Sequence, residues 1–351
     1  MQHVDEVLKN VVEQTQRSAG LMGLGAVVIR AGDVIGLSVS GIRKKGSARA
    51  VTTEDLWHIG SITKSFTATM MARLVERGAL DWLAPLKTFF SEGDIHAQYQ
   101  DVTLEQLLTH TSGLPANFPI GLMLKAAPAP GADRMLAREF AVNAILTKAP
   151  KATPGSRFVY SNVGYTVAGV IAEKATGLAW ETLIEQEIFT PLSLCSGGFG
   201  VPRDAADELG QPWGHKKLFG FRLASQADNT PVIGPAGTVH LSLSDLAAYG
   251  EQHLVGLKNQ SAYLSAESFA RLHQVKLNDY ALGWMTKAPR DLGLGGVHWH
   301  NGSNTLWYAM LVLLPDIDAV VAITSNDGSL RAAEKGAWNI IEVIAKSLRV
   351  L

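Results

Sequence analysis

The sequence predicts an α+β fold: an antiparallel sheet built from both chain ends and flanked by terminal helices, with an inserted, mostly helical domain. Three observations lead there. Strand-like runs cluster near the two termini, helical signals fill the middle, and a helical pattern stands at each end. With 351 residues, 47% hydrophobic and 18% charged, the chain can bury one large core or two intimate ones. The expected division is a sheet domain from 1–80 and 205–351 and a helical domain from 81–204, with an active site at their interface.

In chain order, residues 3–18 carry Val4, Leu8, Val11 and Val12 at helical spacing and stop near Ser18-Ala19-Gly20. Gly25–Arg30 and Val34–Ser40 read as a hairpin turned by Ala31-Gly32-Asp33. A long helix is expected from about Ser61 to Arg77, with Gly78 as its C-terminal cap. Thr103-Leu104-Glu105-Gln106 is a capping box leading into Leu107 and Leu108. Tyr165–Lys174 reads as a further helix. Between them Pro115, Pro119, Pro128, Pro130 and Pro154 suggest long surface connections. Val297–His300, Leu306–Leu314 and Ala319–Ser325 are expected as consecutive strands, and Leu330–Leu348 as a closing helix.

Several function classes are excluded early. A net charge of −1 without a long Lys or Arg run gives nucleic-acid binding no support. Cys195 is the only cysteine, so no internal disulfide framework exists; with no base beside it, it reads as an inert thiol. Met1 to Gln14 lacks the apolar core of a signal peptide, so the chain is expected in the cytoplasm, or in the periplasm after removal of a leader. The apolar stretch Leu306 to Thr324 is broken by Pro315-Asp316-Ile317-Asp318 and reads as two strands with a turn, not a membrane span.

Three separated segments carry candidate chemistry. Ser61 and Lys64, at i and i+3, share one helix face with Cβ atoms roughly 5–6 Å apart. A serine hydroxyl attacks only when a neighbour takes its proton, and a desolvated lysine can do so. Tyr160 and Asn162, two apart in an extended segment, point the same way; the phenol could transfer a proton and the amide hold Lys64 or the substrate. In His300-Asn301-Gly302-Ser303, Gly302 permits close backbone approach and the following N–H suits an oxyanion. Each piece alone is commonplace, since Tyr and Asn often satisfy turn backbone. His298 and His300 face one side of a strand, yet no third metal ligand stands out, so one reads as a site histidine and the other as packed. His110 reads as a structural hydrogen-bonding residue. Trp213, Phe219, Phe221, Trp307 and Tyr308 are candidates to line an apolar pocket, and Pro115 to Gly131 to border it.

The segments Ile59-Gly60-Ser61-Ile62-Thr63-Lys64-Ser65, Leu107-Leu108-Thr109-His110-Thr111-Ser112-Gly113-Leu114, Pro154-Gly155 ahead of Tyr160-Ser161-Asn162, and Ala236-Gly237 ahead of Ser244-Asp245-Leu246 together resemble the serine β-lactamase and penicillin-recognising superfamily. The resemblance covers nearly the whole chain and is strongest to the class C-like branch, with its D-Ala-D-Ala carboxypeptidases, D-aminopeptidases and β-lactamase-fold esterases. It implies Ser61 as acylated nucleophile, Lys64 and Tyr160 as the general acid/base pair, and Asn162 positioning substrate and lysine. It also implies an oxyanion hole from the Ser61 and Ser303 N–H groups, and no metal or cofactor.

One departure matters. The superfamily's third motif is Lys-Thr-Gly or His-Thr-Gly, and here it is His300-Asn301-Gly302. A permanent cation for a substrate carboxylate is therefore lost or conditional. The expected function is a serine hydrolase cleaving a small ester or amide. The alternatives are a β-lactamase or D-amino-acid peptidase, including a slow penicillin-binding enzyme, and a non-catalytic sensor or scaffold for cell-wall fragments. The expected partners are small esters, amides or β-lactams, and no oligomeric state follows from the sequence.

Overall fold

The computed structural model describes residues 2–127, 133–218 and 220–349. The chain opens with α1 (Gln2–Ala19), β1 (Gly23–Arg30), β2 (Asp33–Gly41), β3 (Leu56–His58) and α2 (Thr63–Glu76). The middle contributes α3 (Leu104–Leu108), α4 (Ile120–Ala126), α5 (Arg134–Leu146), α6 (Asn162–Thr176) and α7 (Trp180–Ile184). It returns through β4 (Gly198–Phe199), the hairpin of β5 (Gly214–Leu218) and β6 (Phe221–Ser225), α8 (Gly234–Gly237), β7 (Val239–Ser242), α9 (Leu243–Leu257) and α10 (Ala266–His273). Last come β8 (His298–Gly302), β9 (Tyr308–Leu314), β10 (Ala319–Ser325) and α11 (Leu330–Arg349).

The main sheet has the order β2-β1-β10-β9-β8, antiparallel throughout, so the first and last strands of the chain meet at its centre. Side chains alternate across a strand. Ala26, Val28, Val312 and Val321 pack with α1 and α11, while Val27, Leu311, Val320 and Ala322 pack with α9 and the helical insert. Both faces are covered, which is why β9 and β10 read as unbroken apolar runs. No helix among the described residues is long and apolar enough to cross a membrane.

Two expectations change in detail. The helix expected from Ser61 begins at Thr63, and Ser61 sits in a separate 3-10 turn, Gly60–Ile62. Gly60, with a φ of +52°, opens this turn in a conformation outside the helical region. The proline-punctuated region also holds α4 and α5. Pro119 stands at the N-cap position of α4 without a side-chain cap, and the Asp133 carboxylate accepts the Met135 and Leu136 N–H groups at the start of α5. The capping box of α3 forms as expected, with Thr103 and Gln106 bonding reciprocally.

Candidate active site

The α2 helix runs through the interior, and every residue from Thr63 to Ala72 is buried. Its hydroxyls are satisfied on the way. Thr63 Oγ1 accepts the Val239 N–H, Thr67 Oγ1 donates to the Pro235 carbonyl, and Ser65 Oγ donates to the Ile62 carbonyl. These bonds dock α2 against the Pro235–Gly237 segment and fix the direction of Lys64.

Lys64 is fully buried. Its Nζ lies 3.0 Å from Ser61 Oγ, 2.7 Å from Asn162 Oδ1 and 2.8 Å from the Ala236 carbonyl oxygen. Burial alone pushes the lysine pKa well below its ordinary 10.5, because no carboxylate acts on it. A neutral amine has two N–H donors and one lone pair. The amide and carbonyl oxygens can only accept, so they take the two donors, and the lone pair is left for the Ser61 hydroxyl. The third contact is thus one in which the Ser61 hydroxyl donates to the amine.

Tyr160 and Asn162 stand on either side of Ser161, the N-cap of α6. The sequence reading made all three extended; Asn162 is instead the first helical residue. Ser161 Oγ accepts the Gly164 N–H and so starts the helix one turn early. Asn162 still reaches Lys64, and its Nδ2 donates to Asn117 Oδ1 at 2.7 Å, which fixes the amide with its oxygen toward the lysine. The Tyr160 ring centroid is 4.8 Å from Lys64 Nζ, and its hydroxyl faces Ser61. Burial raises the phenol pKa, with the Ser61 contact opposing it, so the hydroxyl stays protonated. His110 packs on the Tyr160 ring at 4.4 Å, and its Nδ1 accepts the Ser161 N–H at 3.0 Å, the structural role expected of it.

The end of β8 closes the site. A Cβ at Gly302 would stand 2.0 Å from the Ile59 carbonyl and 2.4 Å from Ser61 N, and one at Gly60 would stand 2.2 Å from Ser303 N. Two glycines therefore bring the Ser61 and Ser303 backbones side by side on the cleft wall. Asp228 ties the two strands of this junction. Its Oδ1 accepts from Asn304 Nδ2 at 2.9 Å and lies 3.0 Å from Nε2 of His58, whose Nδ1 accepts the Gly60 N–H.

His300 resolves the question its motif raised. Its Nδ1 hydrogen donates to the Asn301 carbonyl, so Nε2 accepts from the Tyr280 hydroxyl at 3.1 Å. Burial first, then the Lys64 charge, lowers its pKa to about 3, against the Asn301 hydrogen bond. The ring is neutral at ordinary pH, and no conditional cation stands here. His298 turns to a different partner, His273, at 3.2 Å between the two Nδ1 atoms. Among the described residues no group of three metal-ligating side chains converges.

The cleft beside Ser61 encloses about 390 Å³. Its apolar wall is Phe158, Tyr160, Tyr280, Met285, Tyr308 and Leu330, with Asn278, Asn301 and Glu334 as polar members. Of the five aromatic candidates only Tyr308 lines it. Trp307 is buried edge-on against Trp57, Trp213 lies under the Lys44 ammonium, Phe221 is largely exposed on β6, and Phe219 lies outside the described residues. Of the Pro115 to Gly131 stretch, Asn117 reaches Asn162; 128–131 lie outside the described residues. Tyr280, Met285, Asn278 and Glu334 gave no sequence signal, since they lie in a loop and on a helix face with no motif.

A family model described as Beta-lactamase matches residues 8–345. Penicillin-binding protein 4 of Amycolatopsis lactamdurans is 27% identical over 335 residues, covering 87% of this chain and 81% of its own length. Esterase EstB of Burkholderia gladioli is 29% identical over 207 residues, covering 55% of this chain and 50% of its own length. A class C beta-lactamase of known structure superposes with a TM-score of 0.80 at 19% identity, over 97% of this chain and 96% of that one, which is a likeness of fold.

Proposed function

The chain belongs to the Beta-lactamase family, a family of serine hydrolases, and on that premise we propose that it hydrolyses a small ester or amide through an acyl-enzyme on Ser61. The observation that carries this reading is the buried Lys64 amine, 3.0 Å from Ser61 Oγ with its two N–H donors already committed. Lys64 takes the Ser61 proton as Oγ attacks the carbonyl carbon. The Ser61 and Ser303 N–H groups receive the oxyanion. Tyr160, held protonated by burial, gives its proton to the leaving group and recovers one from the Lys64 ammonium. Water then attacks the acyl carbon, its proton passes to the amine, and Ser61 leaves reprotonated. In this reading the cleft lies between a sheet domain of 1–80 and 205–351 and a helical domain of 81–204. Phe158 and Tyr160 come from the second and the other lining residues from the first.

A substrate without a carboxylate is favoured over a penicillin or a peptide C-terminus because no cation lines the cleft among the described residues and His300 is neutral. Esterase EstB gives this preference a relative of matching name. The second reading, a penicillin-binding enzyme or D-amino-acid peptidase, draws on the likeness to Penicillin-binding protein 4.

Intact-mass measurement after brief exposure to p-nitrophenyl butyrate, and separately to a penicillin, tests both. The proposal expects release of p-nitrophenol by the parent, with Ser61→Ala slower by about 10⁴-fold or more. A stable penicillin adduct on Ser61 would move the assignment to the second reading. Full turnover by Ser61→Ala would remove the acyl-serine mechanism, and inertness of the parent toward every acylating probe would favour a sensor or scaffold.

A further inference from the structure

Among the described residues, Glu334 is the one charged side chain lining the cleft. It stands on α11, one turn beyond Leu330, half-buried. Four other shielded carboxylates have cations beside them: Glu105 has Arg271 and Lys276, Glu187 has Arg73 and Arg77, Asp55 has Arg43 and Asp327 has Arg222. Asp245 and Glu251, half-buried like Glu334, form no ion pair among the described residues either, but neither lines the cleft. Glu334 has no ion-pair partner among the described residues. Its helix neighbours Arg331 and Lys335 each line a separate depression instead. A partly desolvated carboxylate left unpaired in a cleft is a cost that a cationic ligand would relieve.

The rest of the wall agrees in sign. Lys64 is buried beneath Ser61 rather than on the cleft surface, and His300 is kept neutral by burial, with its Nε2 turned to the Tyr280 hydroxyl. Tyr308, 2% exposed, has the Asn301 side chain beside its hydroxyl and no closer hydrogen-bond partner among the described residues. Burial keeps that phenol protonated, with Asn301 opposing and Glu334 reinforcing. A primary ammonium has three donors, and this wall offers a carboxylate, a phenolic oxygen and the Asn301 amide. A substrate carboxylate in the same place would meet a like charge with no cation to offset it.

We propose that Glu334 is a specificity-determining residue of this cleft and selects substrates that carry a protonated amine. The proposal rests on the assignment of the cleft to a serine hydrolase and names the charge of its substrate. Titration calorimetry on Ser61→Ala protein, in which no turnover interferes, compares phenylalanine amide with N-acetylphenylalanine amide at pH 6.5. There the first ligand is a cation, since an α-amino group titrates near about 7.7–8.0, and the second is neutral. The expected result is about tenfold tighter binding of the cation at low salt, weakening as salt is raised. In the Ser61→Ala, Glu334→Gln double variant, with its melting temperature recorded as a fold control, the two affinities should come within about twofold. Equal affinities before the Glu334 change, a preference that survives it, or no binding of either amide would overturn the proposal. The hydrolase assignment stands or falls separately, on p-nitrophenyl butyrate turnover by the parent and its loss in Ser61→Ala.

Discussion

One arginine and one lysine are 0% exposed among the described residues, and their surroundings could hardly differ more. Arg138 on α5 is fully buried and meets two carboxylates, Glu173 and Glu181, together with the Pro231 and Val232 carbonyls. Lys64 on α2 is equally buried and meets only neutral oxygens. A guanidinium keeps its charge at any ordinary pH, so the fold must compensate it. An amine can give up its proton instead, and withholding a carboxylate makes it do so. The Arg138 cluster is how this chain ties α5, α6, α7 and the segment before α8 together; in the mechanism proposed here, the bare Lys64 is how it obtains a base. Compensation marks structure here, and its absence marks chemistry.

The comparison breaks if exchanging each cation for methionine has similar consequences. Lys64→Met should lower turnover of a p-nitrophenyl ester by about 10³-fold or more. Its stability should stay within about 1 kcal/mol of the parent, because relief of a buried amine offsets the loss of donors to Asn162 and Ala236. Arg138→Met should do the reverse. Glu173, whose pKa burial already raises against the pull of Arg138, would be left without its counter-charge beside Glu181. A loss of about 3–5 kcal/mol is expected in denaturant unfolding. Whatever folded protein remains should keep its turnover number to within a few-fold. An Arg138→Met protein as stable as the parent would show that burial is tolerated without compensation, and the inference drawn from Lys64 would lose its footing.

The pH profile sharpens the same contrast. The base works deprotonated, so kcat/KM for a neutral ester should fall on the acid side through the lowered Lys64 pKa and be level above it. Stability should carry the same signature. The unfolded chain binds the Lys64 proton up to about pH 10.5 while the folded chain releases it far lower, so the folded state binds fewer protons across that window and stability rises with pH there. Lys64→Met should flatten that rise. The buried file of His253, His273 and His298 adds a separate rise at lower pH. Burial lowers all three, to about 3 for His253 and about 4 for His298, so their contribution is lost as pH falls below 6.5. Melting temperatures of parent and variant from pH 4 to 10 separate the two windows, and a Lys64→Met curve parallel to the parent above pH 6.5 would contradict a depressed lysine.

Much of this was legible in the sequence because it is local. Ser61 and Lys64 lie one turn apart, Tyr160 and Asn162 flank one capping serine, and β9, β10 and α11 announce themselves by long apolar patterns. What escaped is non-local or short. β3, β4 and β7 span two to four residues, too few for periodicity to register. Tyr280, which ties His300 in its neutral form, comes from the loop between α10 and β8. Of the five aromatic residues offered for the pocket, Trp213, Phe221 and Trp307 lie elsewhere for a related reason. Aromatic character marks burial and pocket walls alike, and Trp307 was spent on the core.

The smallest expected effect lies at the edge of the comparison, where exposure meets the buried base. Asn117 is exposed, and its Oδ1 accepts from Asn162 Nδ2. That bond holds the Asn162 oxygen toward Lys64, so Asn117 acts on the lysine without touching it. Asn117→Ala frees the amide to turn, and turnover should drop by only about 2–5-fold, in line with the loss of one net hydrogen bond of ~0.5–1.5 kcal/mol. Asn117→Asp keeps an acceptor for Asn162 and adds a negative charge near an amine that has none. It should therefore retain the parent's rate at high pH while moving the acid limb of kcat/KM upward, since a nearby anion favours the ammonium. A residue that merely supported the loop would lower the rate in both variants and leave the limb where it was. A shift in the limb with Asp, and its absence with Ala, would show that Lys64 serves as a base because carboxylates are kept away from it.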